Sequence, residues 1–251
     1  MPRLAHVVIV VMENRDSAQI LRNPDAPFLI RLATEGLSLT DMRGETHPSQ
    51  PNYLALFSGS TQGVTSDACP SPFDRPNLAT ELISAGYSFT GYSVGLPEPG
   101  YRGCTAGRYV RKHNPWADFT NVPDASNQPF TAFPTDFTQL PTISFVIPDL
   151  NHDMHDGTIA EGDAWLAAHL GAYVTWASSH RSLLIVTWDE NDGRPGNQIA
   201  TILAGAGVKP GTDSQPVNHY SLLRSLEDAY GLAALGQSAP ARPIVGVWQP
   251  S

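Results

Sequence analysis

Charge is scarce in this 251-residue chain. Only 16% of residues are Asp, Glu, Lys or Arg, and the 15 basic ones are outnumbered by 24 acidic ones. A formal net charge of −9 with His neutral, and no basic stripe, makes a nucleic-acid backbone a poor partner. An anionic small substrate is still open, because a bound cation or a local His cluster reverses the sign of one cleft. Long apolar runs are missing as well. None approaches the roughly 20 residues that span a bilayer, so no stable membrane insertion is expected. The longest, residues 4–12, contains His6 and is followed by no small-residue cleavage site, which marks a buried strand and not a signal peptide. The five Trp residues are scattered and form no docking patch.

Cysteine is limited to Cys69 and Cys104, without the CxxC spacing of a zinc or redox site. Both sit among Pro, Gly and Ser, where a disulfide would pin irregular chain. That reading implies a secreted or periplasmic protein whose signal lies outside the sequence shown; two free thiols would imply a cytoplasmic one.

What the chain has is 41% apolar residues, enough for a core burying roughly 70–75% of the unfolded surface. Short β-branched runs alternate with amphipathic stretches. They predict strands over 4–12, 37–42, 87–94, 142–147, 182–188 and 198–204. Helices are predicted over 26–35, 48–57, 77–85, 159–178 and 220–230. This alternation predicts an α/β three-layer sandwich, a mostly parallel central sheet with helices on both faces. No linker divides the chain, so 1–251 is taken as one domain, with an irregular, cap-like region over residues 61–140. The segment Gly205 to Gly211 lacks the spacing of a phosphate-cradling loop.

In open α/β sheets, ligands bind beyond the carboxyl ends of the strands. Three apolar runs end there in polar bursts: Glu13-Asn14-Arg15-Asp16, Asp149 through Asp156 with His152 and His155, and Asp189-Glu190-Asn191-Asp192. Any one alone reads as a solubilising cap. Together they offer oxygen and imidazole donors to one sheet edge. Glu13, Asn14, Asp189 and Glu190 are hard donors suited to one divalent ion, Ca²⁺, Mg²⁺ or Mn²⁺ before Zn²⁺. Crowded carboxylates also need a cation or a proton. A fourth burst, Thr46 to Tyr53, starts a predicted helix. There Ser49 is either an N-cap or, beside a metal, a nucleophile facing free backbone N–H groups. His113, His152, His155 and His219 are the histidines placed to hold phosphate oxygens or to protonate a leaving group.

The stretches from His6 to Asn14, Thr46 to Tyr53, Pro148 to Asp156, Thr187 to Gly193 and Asn218 to Leu223, in this order, resemble the phosphoesterase family. That family comprises acid phosphatases and bacterial phospholipases C and is a branch of the alkaline phosphatase superfamily. The resemblance implies an alkaline phosphatase-like core and a metal-dependent hydrolase of phosphoric esters. It further implies a phosphoserine intermediate on Ser49, with Glu13, Asn14, Asp189 and Glu190 as metal ligands. His155 and Asp156 would be the catalytic pair at the phosphate, with His113 and His219 as further contacts; His152 is a phosphate-binding candidate from its place in the Asp-rich burst alone. The chain is short for the family, which favours a compact phosphomonoesterase acting on a phosphorylated small molecule or a phospholipid headgroup. A phospholipase C-type phosphodiesterase is the alternative within the family. A metal-binding module without turnover is the alternative of another class.

Overall fold

A computed structural model of the chain describes residues 1–69 and 72–249. Its centre is strand β1 (His6–Met12), the β-branched run of the first block. Consecutive residues of a strand point to opposite faces, and from Val7 to Met12 all are buried, so both faces of the sheet are covered. The remaining strands, in chain order, are β2 (Leu37–Leu39), β3 (Met42–Arg43), β4 (Phe89–Ser93), β5 (Thr105–Ala106), β6 (Tyr109–Val110), β7 (Asn127–Pro129), β8 (Ile143–Ile147), β9 (Ser182–Trp188), β10 (Gln198–Ile199), β11 (Thr201–Gly205), β12 (Gly211–Asp213) and β13 (Val217–Asn218). Eight of them form the main sheet, ordered β12-β2-β11-β9-β1-β8-β4-β7. Its pairings are parallel except those of β11, which runs against both β9 and β2. The register pairs Met12 with Trp188, so the residues that follow, Glu13 and Asp189, emerge side by side at one edge.

Two predicted strands are each divided between sheets. The run 37–42 breaks at Thr40, whose N–H goes to the Asp213 carbonyl at 2.7 Å, and β3 then joins β10 and β13 in a small second sheet. The run 198–204 likewise changes partner, from β3 in β10 to β9 in β11. In both cases the hydrogen-bonding partner switches within one run, which hydrophobic patterning does not register.

Among the described residues there are six α-helices: α1 (Ser17–Leu21), α2 (Pro27–Glu35), α3 (Ser49–Ser58), α4 (Leu78–Ser84), α5 (Ile159–Ala177) and α6 (His219–Tyr230). In one group α1 packs on α2 and α2 on α5, with α2 and α5 against β11 and α5 against β9; in the other α3 and α4 pack on α6, with α4 against β4. All ten residues of α3 are buried, so Ser49 begins a helix with no solvent face. Helix α2 starts at Pro27 without a side-chain cap of its own. Asp163 of α5 caps it instead, accepting from the N–H groups of Phe28 at 3.0 Å and Leu29 at 2.8 Å. Asp163→Ala is therefore expected to lower stability by about 1–2 kcal/mol, seen as a lower urea midpoint at constant slope. An unchanged midpoint would show that α2 is anchored otherwise.

The region 61–140 is less irregular than its composition predicts, since α4 and β4 belong to the core. The rest is ordered by aromatic packing. Phe57 meets Phe89, Trp116, Phe119 and Phe145 at ring-centroid distances of 5.4, 6.4, 5.7 and 5.9 Å. Trp116 lies where a side chain at position 91 would stand, so Gly91 is required by close approach. Arg102 also gathers the carbonyls of Ala117, Phe119 and Val122. Cys69 and Cys104 form the disulfide that the sequence suggested.

Candidate active site

The three strand-end bursts converge. Glu13 directly follows β1, and its N–H donates to the Asp153 carbonyl at 2.8 Å, tying the first burst to the second. Asn14 takes a left-handed conformation, φ 52°, which Asn tolerates better than most residues. Its N–H then donates to Asp189 Oδ1 at 3.3 Å. Parallel register and one tight turn thus place Glu13, Asp189 and Glu190 in a single buried cluster.

Ser49 completes it. The hydroxyl does not cap α3; Oγ lies 3.0 Å from Glu13 Oε2 and 3.0 Å from Glu190 Oε1. Its single proton serves one carboxylate at a time. The N–H groups expected to be free at this helix start are partly taken, with that of Gln50 donating to Asp67 Oδ1 at 3.0 Å. One helical turn after Ser49, the Tyr53 hydroxyl donates to Glu13 Oε1 at 2.6 Å, and the His47 ring contacts Glu190 Oε2.

His113 is buried beneath this cluster. Its Nε2 lies 3.0 Å from Glu13 Oε1 and its Nδ1 lies 3.2 Å from Asp153 Oδ2. The ring stacks on Tyr53 at 5.2 Å. Both ring nitrogens thus face carboxylates, at angles short of a directed hydrogen bond. His155 holds Asp156 Oδ1 through Nδ1 at 2.6 Å, and its Nε2 sits 3.4 Å from Lys112 Nζ.

His152 and His219 are placed elsewhere. His152 pairs with Asp149 at 2.6 Å and neighbours the Trp165 ring. His219 is the first residue of α6, and its Nε2 approaches the Asp189 backbone carbonyl at 2.6 Å. A carbonyl only accepts, so that nitrogen carries the proton. Burial holds the ring's pKa down to about 4. His219 thus supports the backbone of Asp189 from behind.

Electrostatics mark the cluster as incomplete by itself. Burial, reinforced by Asp153 and opposed by His113, pushes Glu13 up to about 7. Burial raises Asp153 to about 7 as well, and raises Asp189 and Glu190. Burial also holds His113 down to about 4, so the ring is neutral. Among the described residues, no Arg or Lys lies within ion-pair distance of Glu13, Asp153, Asp189 or Glu190. Asp189 Oδ2 is buried without a hydrogen-bond partner. A bound cation answers both the crowding and the orphaned oxygen. Glu13, His113 and His155 also bring ligand atoms within 4.8 Å of one another, so the set able to hold a metal includes imidazole as well as the predicted oxygens.

Sequence reasoning did not single out Tyr53, Asp153, Lys112, His47 or Asp67. Tyr53 was detectable by its i+4 spacing from Ser49 on one helix; the others meet the cluster only through tertiary contacts.

The description Phosphoesterase family belongs to the family model that matches residues 17–233. A phosphatidylinositol-3-phosphatase of Mycobacterium tuberculosis is 51% identical, over 99% of this chain and 84% of that protein. A phosphate-repressible acid phosphatase of Penicillium chrysogenum is 32% identical over 83% of this chain, which spans only 55% of the fungal protein. Among solved structures, a protein of the alkaline phosphatase superfamily from Vibrio parahaemolyticus matches 98% of this chain and 71% of its own, with a TM-score of 0.64 at 16% identity. That likeness establishes the fold.

Proposed function

Because the chain belongs to the Phosphoesterase family and is a hydrolase of phosphoric esters, we propose that it is a metal-dependent phosphomonoesterase with Ser49 as nucleophile. One observation carries this reading: a buried hydroxyl at a helix start, 3.0 Å from each of two carboxylates of raised pKa. The mycobacterial relative's name supports a phosphoinositide-type monoester as substrate. The whole chain is read as one catalytic domain.

Glu13, Asn14, Asp189 and Glu190 would hold one divalent ion beside Ser49, and their oxygen donors favour Ca²⁺, Mg²⁺ or Mn²⁺. When bound, the ion supplies positive charge that lowers the serine pKa and offsets charge on the transferred phosphoryl group. Ser49 Oγ gives up its proton to solvent and bonds to phosphorus as the bond to the leaving oxygen breaks. His155, oriented by Asp156, supplies a proton to the departing oxygen. His113, buried between Glu13 and Asp153, is the further phosphate contact of this reading. Water then attacks phosphorus, Ser49 leaves, and the hydroxyl recovers its proton. His219 positions Asp189, while His152 lies outside this core.

A panel of an aryl phosphomonoester and an aryl phosphodiester separates the readings. The monoester is expected to be hydrolysed at least about tenfold faster in kcat/KM; the reverse preference would make the enzyme a diesterase of the phospholipase C type.

The disulfide supports an oxidising, secreted or periplasmic location. Unfolded without reductant, the protein is expected to show no titratable thiol. A bridge closing 35 residues contributes roughly 3–4 kcal/mol on the chain-entropy model. Reduction is expected to raise KM more than it lowers kcat, since Ser49 and the metal ligands lie outside the closed loop. A selective fall in kcat would contradict this.

A further inference from the structure

The two neighbours of Lys112 are each locked to the catalytic cluster. Arg111, Lys112 and His113 make one turn of 3-10 helix. Arg111 pairs with buried Asp118 at 2.9 Å, and Asp118 in turn accepts from the Gln50 side chain at 3.1 Å. His113 lies against Glu13. Lys112, between them, is one of only two lysines in the chain, and its ammonium is held at the site. Nζ donates to Asp67 Oδ2 at 2.8 Å and lies 3.4 Å from His155 Nε2. Asp67 Oδ1 accepts from the backbone N–H of Gln50, the residue after Ser49, at 3.0 Å. One carboxylate thus ties the ammonium to the start of α3.

Asp67 and Lys112 both line a cavity of about 290 Å³ beside the disulfide, so the pair is reachable from outside. Cys69 follows Asp67 by two residues, and the Cys104 carbonyl accepts from the Arg111 N–H at 2.9 Å. The bridge therefore anchors both members of the pair, in keeping with the KM effect expected on its reduction. An ammonium has three N–H donors. Asp67 takes one and His155 faces a second, which leaves one uncommitted among the described residues. Charge gives that donor a use. Even with one divalent ion bound, Glu13, Asp189 and Glu190 leave the site negative, and a phosphoryl dianion entering it needs a further cation. The charge of Lys112 already acts on both Glu13 and Asp189.

We propose that Lys112 is a further catalytic residue, donating a hydrogen bond to a non-bridging oxygen of the phosphoryl group as it transfers to Ser49, and that Asp67 is the positioning residue that holds the ammonium there. The ammonium keeps its proton and its charge throughout. The inference rests on the phosphomonoesterase reading and adds to it a donor that acts on the transferred group itself, whatever alcohol leaves.

The full-length enzyme with its divalent ion tests it on nitrophenyl phosphate, whose alcohol leaves readily, on ethyl phosphate, whose alcohol does not, and by calorimetric titration with inorganic phosphate. Lys112→Gln is expected to lower kcat/KM at least about tenfold on both esters alike, the size of one charge-assisted hydrogen bond, and to weaken phosphate binding as well. Lys112→Met, which keeps the stem without the charge, should repeat this, and Lys112→Arg, which keeps the charge, should lose much less. Asp67→Asn retains an oxygen for the Gln50 N–H, so its smaller loss should fall on KM. Added to Lys112→Gln it should cost almost nothing more, because it acts through the same ammonium. A loss confined to ethyl phosphate, with phosphate binding unchanged, would overturn the proposal by showing Lys112 acting on the leaving group through His155. Fully additive losses in the double variant would overturn it too, as would tighter phosphate binding in Asp67→Asn, the behaviour of a carboxylate that competes for the phosphoryl position. Failure of the wild type on both esters would instead overturn the phosphomonoesterase reading beneath it.

Discussion

Ser49→Ala is expected to reduce kcat at least about a thousandfold, as removal of a covalent nucleophile does, while the fold and metal binding persist. The expectation of a near-intact fold follows from the geometry. Ser49 caps nothing, and its hydroxyl spends its hydrogen bonds on Glu13 and Glu190. Stability should therefore change by no more than about 1 kcal/mol, the worth of an ordinary hydrogen bond. Retention of more than about a tenth of wild-type activity would reject Ser49 as nucleophile, since general stabilisation alone leaves far less, and would point to water or to Thr46.

Chelation is expected to abolish activity, with Glu13→Gln and Asp189→Asn each weakening metal binding. The pH dependence has a definite sign. Glu13, raised by burial to about 7 from an ordinary 4.5, is protonated in the metal-free folded protein across that interval. Stability linked to its proton is present below the unfolded value and is lost as pH rises through about 7. A cation must displace the proton, so metal affinity should fall about tenfold per pH unit below 7 for each proton released. His113, held down to about 4, stays neutral over this window and does not compete. The rise in thermal midpoint on adding metal should accordingly grow from pH 5 to pH 7.5, values chosen about either side of the Glu13 transition. Full activity after exhaustive chelation, with no metal found in the protein, would reduce the cluster to a proton-sharing group of buried acids.

Much of this was visible in the chain because the central strands are unambiguous. β1, β8 and β9 are short continuous apolar runs, and burial on both faces is what such runs demand. Once they are parallel, the polar residues following each must share an edge, so Glu13 and Asp189 were legible as neighbours. Helix α1 escaped notice because five residues show too little periodicity. The separation of His152 from His155 was hidden for a different reason. Met154 between them has φ 79°, and this turn sends one ring toward Trp165 and the other toward His113. Spacing alone does not encode that reversal. The Lys112–Asp67 pair and the contact of His113 with Asp153 join residues some forty positions apart, and no local pattern announces them.

The most direct measurement of the central claim is the stereochemical course at phosphorus. With an isotopically chiral phosphomonoester and an alcohol as acceptor, transfer through phosphoserine at Ser49 consists of two in-line displacements, each inverting the centre. The account predicts net retention of configuration. Net inversion would mean a single displacement by the acceptor itself, and would contradict a covalent intermediate on Ser49.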